Sequence, residues 1–511
     1  MKDKSIVLYV LNSLLVLGII ILFTLASSQY FIIAHDDMAT CFIDRNRSLL
    51  ENFFTSVYHG RYISNVMTKL QCGLFDIHPI VWIRSYGAIM KAIFTFIVFT
   101  MLSSSLFIFK NEAKSNIFKY ICMPLTTLAC YFVYLFAIHY HYEEMLYSFF
   151  YGFIFPFIFF ILFWNKFINV YTNNSMLTKK DFYFFCILAF LLGISTEITI
   201  FVSFVALILI LFFDSIQKNS YSKQFIPPTI ILFISSMFYV FNPGFIYSAK
   251  DKGTLNGFNN MIKTAIDSFD EYFVLCSQII KDYFLVITLS IILLLVIVIS
   301  CKYYKNKTNF VKIVISLLIS NYLFYFMLIF AGRNPENILF VGHYSTNIQV
   351  VFCFVYILFV TISYVSRNNF IKSFLIVIFV AFSLFYKFDF INNISEIFKN
   401  GIKNYIGHGG TVFYKNRYKA EAILLYYAVN NKKAIIPNNC DGFYLNLESY
   451  LYNIYNIKGF DEKNIVLIDE KEAYSEYIKD GGRIITNEEI EKGDFQKLKE
   501  EYAQNDNNSS K

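Results

Sequence analysis

Charge is scarce in this 511-residue chain. Asp, Glu, Lys and Arg make up 16% of it, against 56% hydrophobic residues. Soluble domains carry about 25% charge. A disordered chain needs the opposite balance, so disorder is excluded, and collagen and small disulfide scaffolds are excluded with it. No Cys-x-x-Cys pair and no zinc-ligand spacing occurs among the nine cysteines. Six of the nine lie in or beside apolar runs, where cysteine acts as a small apolar residue. Walker A, HExxH and GxSxG motifs are missing, which removes an ATP motor, a zincin protease and an α/β-hydrolase. There is no arginine-rich voltage sensor. What fills the chain instead is apolar: mean hydropathy is +0.49 and one residue in five is aromatic (20%). Length alone suggests about three soluble domains, but repeated long apolar runs point to a membrane protein.

A bilayer-spanning helix needs about 20 mostly apolar residues. Runs of this kind cover 5–27, 86–108, 118–138, 145–163, 225–243, 283–301, 311–331, 346–365 and 369–387. The first is too long for a signal peptide and lacks a small-residue cleavage site, so it is read as a retained helix. The run 182–213 is different: as one helix it would be about 48 Å long. That is too long for one span and short for two, so it is expected to turn near Ser195–Glu197 as a tight pair of short helices or a re-entrant hairpin. The total is about eleven segments.

Basic residues mark cytoplasmic loops. With Lys2 and Lys4 inside, the inner loops carry Lys110, Lys114 and Lys119; Lys166, Lys179 and Lys180; Lys218 and Lys223; Lys302, Lys305, Lys307 and Lys312; and Arg367 with Lys372. The net charge of +7 is therefore a topology signal concentrated in residues 1–388, with no call for nucleic acid. The outer surfaces are then 28–85, 139–144, 195–197, 244–282, 332–345 and the tail. Leu50, Phe53, Phe54 and Val57, then Ile63, Val66, Met67 and Leu70, and later Ile262, Ile266, Phe269 and Phe273 recur at helical spacing. These stretches either lie in the membrane interface or pack on the bundle as caps. Cys41 and Cys72 share the first outer loop, where an oxidising compartment permits a disulfide.

The expected fold is thus an all-α polytopic membrane bundle over residues 1–388, followed by a small extracytoplasmic α/β domain over 389–503. Within that domain Ala434–Pro437, Ile465–Ile468 and Arg483–Thr486 read as strands and Ala420–Val429 as a helix. Residues 504–511 read as a disordered tail.

The candidate chemistry gathers in the outer loops. His35, Asp36 and Asp37 follow the first helix, and two adjacent carboxylates can hold a divalent cation or act as a general base. The plainer alternative is solvated acids capping a helix. The short loop at 139–144 packs His139, His141, Glu143 and Glu144 together with no basic residue. Glu197 stands as the only acid within an apolar run, where an ionisable group costs several kcal/mol unless it finds a partner or a cavity. The alternative is a polar residue at a hairpin tip. Asn242-Pro243-Gly244 ends a span, as Pro and Gly commonly do. Arg333, with His343 in the same loop and Lys250 and Lys252 in the preceding one, offers cations for a phosphate, or for lipid headgroups. Only Glu197 lies deep, so a chain of buried proton-relay acids is missing, which argues against a proton-driven transporter, and the scarcity of polar residues in the spans weighs against a continuous polar path.

His35-Asp36-Asp37 after the first helix, Tyr151 with Pro156 in the fourth, Ser195-Thr196-Glu197 in the hairpin and Asn242-Pro243-Gly244 together resemble the GT-C superfamily. Its members are integral-membrane glycosyltransferases using polyprenyl-phosphate sugar donors, and the pattern is similar to bacterial GtrII-like glucosyltransferases. In the tail, Arg417, the helix after it and Ala434–Pro437 belong to the same likeness. Relatives continue the Pro-Gly with Asn and a nearby Arg, whereas this chain has Phe245. The resemblance implies a multi-pass protein of the bacterial inner membrane, N-terminus inside and C-terminal domain outside. It implies Asp36 or Asp37 as base, Glu143 and Glu144 as second acids, and Arg333 with Lys250 or Lys252 as a phosphate clamp. His35, His141, Glu197 and His343 would line the substrate site. The partners implied are a polyprenyl-phosphate-linked sugar, membrane lipids and an envelope glycan acceptor. Two other readings stay open: a transporter or flippase of a lipid-linked or anionic substrate, and a non-enzymatic envelope assembly protein.

Overall fold

A computed structural model describes residues 2–28, 62–63, 66–67, 83–109, 122–131, 150–219, 221–241, 307–330, 344–365, 410–437, 451, 455–460, 462–486, 489 and 497–503. The runs expected at 283–301 and 369–387 lie outside the described residues, as do the apolar stretches at 50–57 and 262–273.

Helices dominate the first part. They are α1 (Lys2–Ser28), α2 (Ala88–Ser104), α3 (Cys122–Tyr131), α4 (Phe157–Thr172), α5 (Lys179–Gly193), α6 (Glu197–Ile216), α7 (Ile226–Val240), α8 (Lys307–Phe330) and α9 (Tyr344–Val365). Among the described residues, four stretches are long and apolar enough to cross a membrane: Ile6–Leu25, Ser85–Phe107, Phe150–Thr172 and Glu197–Ile216. They and their neighbours expose apolar side chains that water would penalise and lipid would not, such as Leu15 and Leu22 on α1, Ile187 on α5, and Ile230 and Ile234 on α7. A helical membrane protein follows from these two observations.

The hairpin expected in 182–213 is present. Helix α5 stops at Gly193, Thr196 is extended (φ −126°, ψ 154°), and α6 begins at Glu197. Ser195 Oγ turns back to donate to the Leu191 carbonyl at 2.6 Å. The glycine has a packing role as well: a Cβ there would lie 1.8 Å from Ser235 Oγ and 3.0 Å from the Leu232 carbonyl oxygen. Helices α5 and α7 therefore touch backbone to side chain, the close approach that small residues permit in membranes.

Helix α4 is the centre. It is apolar around most of its circumference, as a fully enclosed helix must be, and it buries Phe157, Phe160, Phe163, Trp164, Phe167 and Tyr171. Phe160 meets Tyr356 edge-on, Phe163 meets Phe185, and Phe167 meets Phe225. The helix runs to Thr172, beyond the apolar run ending at 163. The extension carries Asn165 and Lys166, and both are satisfied. Asn165 Oδ1 accepts from Ser105 Oγ at 3.1 Å and from Tyr356 Oη at 2.9 Å, and Lys166 pairs with Asp181 at 2.6 Å.

Contacts between helix ends fix the directions. Asn309 Nδ2 at the start of α8 donates to the Tyr171 carbonyl and to Asn174 Oδ1 after α4. Gln224, leading into α7, accepts from Leu177 N and donates to the Ser175 carbonyl, just before α5. Phe310 stacks on Tyr364 at 3.9 Å, and Phe109, beyond α2, meets the same ring. The ends of α2, α4, α6 and α9 and the starts of α5, α7 and α8 therefore share one end of the bundle. Every described lysine assigned to an inner loop lies there.

Helix α10 (Gly410–Val429) leads to strand β1 (Ala434–Pro437), which pairs in parallel with β2 (Ile465–Ile468) ahead of α11 (Glu470–Lys479). Both strands occur where expected. Arg483–Thr486 does not form one. Its backbone donors go to side chains instead: Arg483 N to Tyr477 Oη, Ile485 N to Tyr474 Oη, and Thr486 N to Glu489 Oε2. A segment whose amides are taken in this way cannot extend a sheet.

Two predictions follow from this packing. Gly193→Ala should lower the thermal midpoint of the detergent-purified protein, since overpacking costs about 1–3 kcal/mol. Ser235→Gly in the same chain should restore part of the loss, and additive losses would exclude the contact. In the tail, Arg483 donates to Glu489 (3.0 Å from Nη1 to Oε2) and holds its carboxyl well down, from 4.5 to about 2. A depressed carboxyl adds stability above its unfolded value and loses it as pH falls. Hydrogen-exchange protection across 470–486, taken relative to the intrinsic amide rate at each pH, should therefore fall between pH 4.5 and about 2. Glu489→Gln should already exchange quickly at neutral pH and show a flatter response.

Candidate functional site

Ionisable groups inside an apolar bundle need a partner or a cavity. At the lysine-bearing end the partner is plain. Asp214, in the last turn of α6, is fully buried and pairs with Lys312 in the first turns of α8. Its second oxygen accepts from Tyr171 Oη at 2.7 Å. The carboxylate thus has a donor on each oxygen, which low dielectric requires. Three helices, α4, α6 and α8, meet at this one side chain.

The sequence reading missed this centre. Asp214 falls one residue past the apolar run 182–213, and Lys312 sits inside the run 311–331 yet was counted as a loop lysine. Glu197 is accordingly not the sole acid in the apolar part. It is half-buried in the first turn of α6, whereas Asp214 is the fully enclosed one. The signal available was the position of Lys312 inside an apolar run, with Asn309 one turn before it.

The spans also hold more polar groups than their hydropathy suggests. Thr95, Ser103, Thr127, Ser203, Ser316, Ser320 and Asn321 are all buried. Most return their hydrogen to a carbonyl one turn back, as Thr95 does to Lys91 and Ser320 to Ser316. Ser203 instead accepts from Trp164 Nε1 at 3.0 Å. That bond joins α4 to α6, the kind that holds helices together in a membrane. The Asn321 amide and the Ser316 hydroxyl have no hydrogen-bond partner among the described residues.

At the opposite end a second set of features collects. The chain returns from 28–82 through a π-helical turn at Ile83–Gly87, and from 132–149 through another at Phe150–Ile154. Such turns recur at functional sites. Lys91, one turn into α2, is buried with its Nζ 5.8 Å from the centre of the Phe150 ring, so the two returning segments meet. Tyr62 donates to the Phe238 carbonyl at 2.9 Å, so this part of the segment between α1 and α2 packs on the bundle at α7. Ser195 and Thr196 are enclosed at the same end, and Thr196 Oγ1 lies 2.9 Å from Thr199 Oγ1.

Of the residues expected to carry chemistry, Glu197 falls at this second end. His35, Asp36, Asp37, His141, Glu143, Glu144, Lys250, Lys252, Arg333 and His343 lie outside the described residues, as do Asn242-Pro243-Gly244, Cys41 and Cys72. Tyr151 and Pro156 lie at the start of the α4 segment, where Tyr151 is buried against Phe94 and Phe155. No group of three or more His, Cys, Asp or Glu side chains suited to a metal ion occurs among the described residues.

Removing one partner of a buried pair leaves an uncompensated charge, at a cost of about 3–5 kcal/mol. Asp214→Leu or Lys312→Met alone should lower the yield of monodisperse protein sharply. The double variant should recover most of it, and a double variant no better than either single would refute the pairing.

Comparison with protein-family models found no match, and comparisons with curated proteins and with solved structures found none either.

Proposed function

We propose that the chain is a membrane glycosyltransferase that transfers a sugar from a polyprenyl-phosphate donor to a cell-envelope glycan or lipid. The observation that supports this reading best is the polarity of the bundle. Its described lysine-bearing loops share one end, and the segments bearing Asp36, Asp37, Glu143 and Glu144 rejoin the bundle at the other, the end at which α6 begins with Glu197. By the positive-inside rule the acid-bearing end faces away from the cytoplasm. Donor and acceptor would meet there, with the polyprenyl chain kept in the bilayer.

In this mechanism Asp36 or Asp37 takes the proton of the acceptor hydroxyl. The acceptor oxygen then bonds to the anomeric carbon as the bond to the donor phosphate breaks, and the polyprenyl phosphate leaves with the electron pair. Arg333, with Lys250 or Lys252, offsets the charge developing on that phosphate. Glu143, Glu144 and Glu197 orient the acceptor, with His35, His141 and His343 around them. A divalent cation on Asp36 and Asp37 would serve the same phosphate.

A transporter reading draws on one observation, the unpartnered amide of Asn321 within the bundle. The remaining hydroxyls mostly bond within their own helices, so the transferase reading is preferred.

The test is an envelope-glycan profile. Asp36→Asn or Asp37→Asn strains with normal protein level should lose a glycan band, since loss of a general base costs about 10²–10⁴ in rate. An unchanged profile in a deletion strain would refute the transferase.

A further inference from the structure

Each carboxylate described at the lysine-bearing end is already engaged. Asp181 is held by Lys166 at 2.6 Å, and Asp214 is enclosed with Lys312 and Tyr171. Lys179, Lys180, Lys218 and Lys223 are exposed at that end, and among the described residues none of them forms a salt bridge. Gln224 draws their two loops together, bonding both Leu177 N and the Ser175 carbonyl. Tyr183 and Tyr221 sit exposed next to these lysines, and below them Ile187 on α5 and Ile230 and Ile234 on α7 continue an exposed apolar wall. Helices α5 and α7 run parallel and close, as the Gly193–Ser235 approach requires. Cations, then aromatic rims, then aliphatic side chains are the sequence of chemistries along a phospholipid, from headgroup to acyl chain.

Lys218 adds an independent sign. It closes α6 in the left-handed region, at φ 54°, with Lys218 N bonded to the Ser215 carbonyl and Asn219 N to the Asp214 carbonyl. Glycine is the residue favoured at that position. A lysine at that closing position carries backbone strain that a glycine would not.

We infer that this face of α5 and α7 is a docking site for an anionic phospholipid of the surrounding bilayer, its phosphate held by Lys179, Lys180, Lys218 and Lys223 and its chains laid along Ile187, Ile230 and Ile234. The occupant is a lipid and not a free anion, because the apolar wall continues directly from the lysines.

Lys218→Gly is the decisive variant, since it removes a charge while relieving the strain. The full-length protein, purified in detergent, is titrated with phosphatidylglycerol and with phosphatidylcholine and read by native mass spectrometry. Wild type should prefer the anionic lipid. Lys218→Gly should lose about fivefold of that preference, the effect of one lysine near a lipid surface, at an unchanged or higher thermal midpoint. Lys179→Gln/Lys180→Gln/Lys223→Gln should lose most of the remainder. Equal binding of the two lipids by wild type, or an unchanged preference in both variants, would overturn the proposal. Displacement of phosphatidylglycerol by equimolar inorganic phosphate would overturn it too, by showing a plain anion site.

Discussion

The described bundle depends on one buried ion pair. Asp214 has no contact with solvent, and its two oxygens are taken by Lys312 and Tyr171. Those three residues come from α8, α4 and α6, elements far apart in the chain. An unpaired carboxylate in that position would be too costly to bury, so α8 can seat only in the register that brings Lys312 to it. Asn309, one turn earlier, repeats the constraint by bonding the Tyr171 carbonyl and Asn174. Apolar packing alone would leave that register weakly specified, because lipid is as apolar as the side chains of the spans.

The same pair sorts the lysines. Counted along the sequence, each lysine between apolar runs carries equal weight as a topology signal. In three dimensions they divide into two kinds. Lys312 is buried and committed to Asp214, and Lys166 is committed to Asp181, whereas Lys179, Lys180, Lys218 and Lys223 face outward. The first kind consumes the local acids, and the second keeps a net positive surface because of it. A bundle end that is neutral in its interior and basic at its rim meets an anionic leaflet without having to bury charge.

How much was legible in the sequence follows from which signals are local. The hairpin was readable because length is a local quantity: a run of that extent cannot be one comfortable span, and the break came at Ser195 as expected. Strands β1 and β2 were readable from short apolar stretches. The Arg483–Thr486 stretch looked equally strand-like, and it failed because tyrosine hydroxyls and Glu489, residues outside the stretch, take its amides. Hydropathy also averages over a window, so single polar residues vanish within it. Lys91 and Lys312 disappeared into apolar runs for that reason, and α4 continued through Asn165 because its partners, Ser105 and Tyr356, are supplied by distant segments. The outer acids are legible only as composition, since Asp36, Asp37, Glu143 and Glu144 lie outside the described residues.

The two ends of the bundle are therefore built on different principles. At the lysine end the described carboxylates have near neighbours that fix them, and fixed charges suit a structural clamp. At the other end α2 and α4 both begin in π-helical turns, a backbone form that leaves the regular hydrogen-bond ladder out of step. Lys91 is buried within a turn of that irregularity, beside Phe150. A regular helix start would have been available to either apolar segment. Irregular backbone around an enclosed cation is tolerated in a membrane protein where protein, not lipid, surrounds it. That end also encloses Ser195 and Thr196, so its polar side chains are held inside protein and not against lipid.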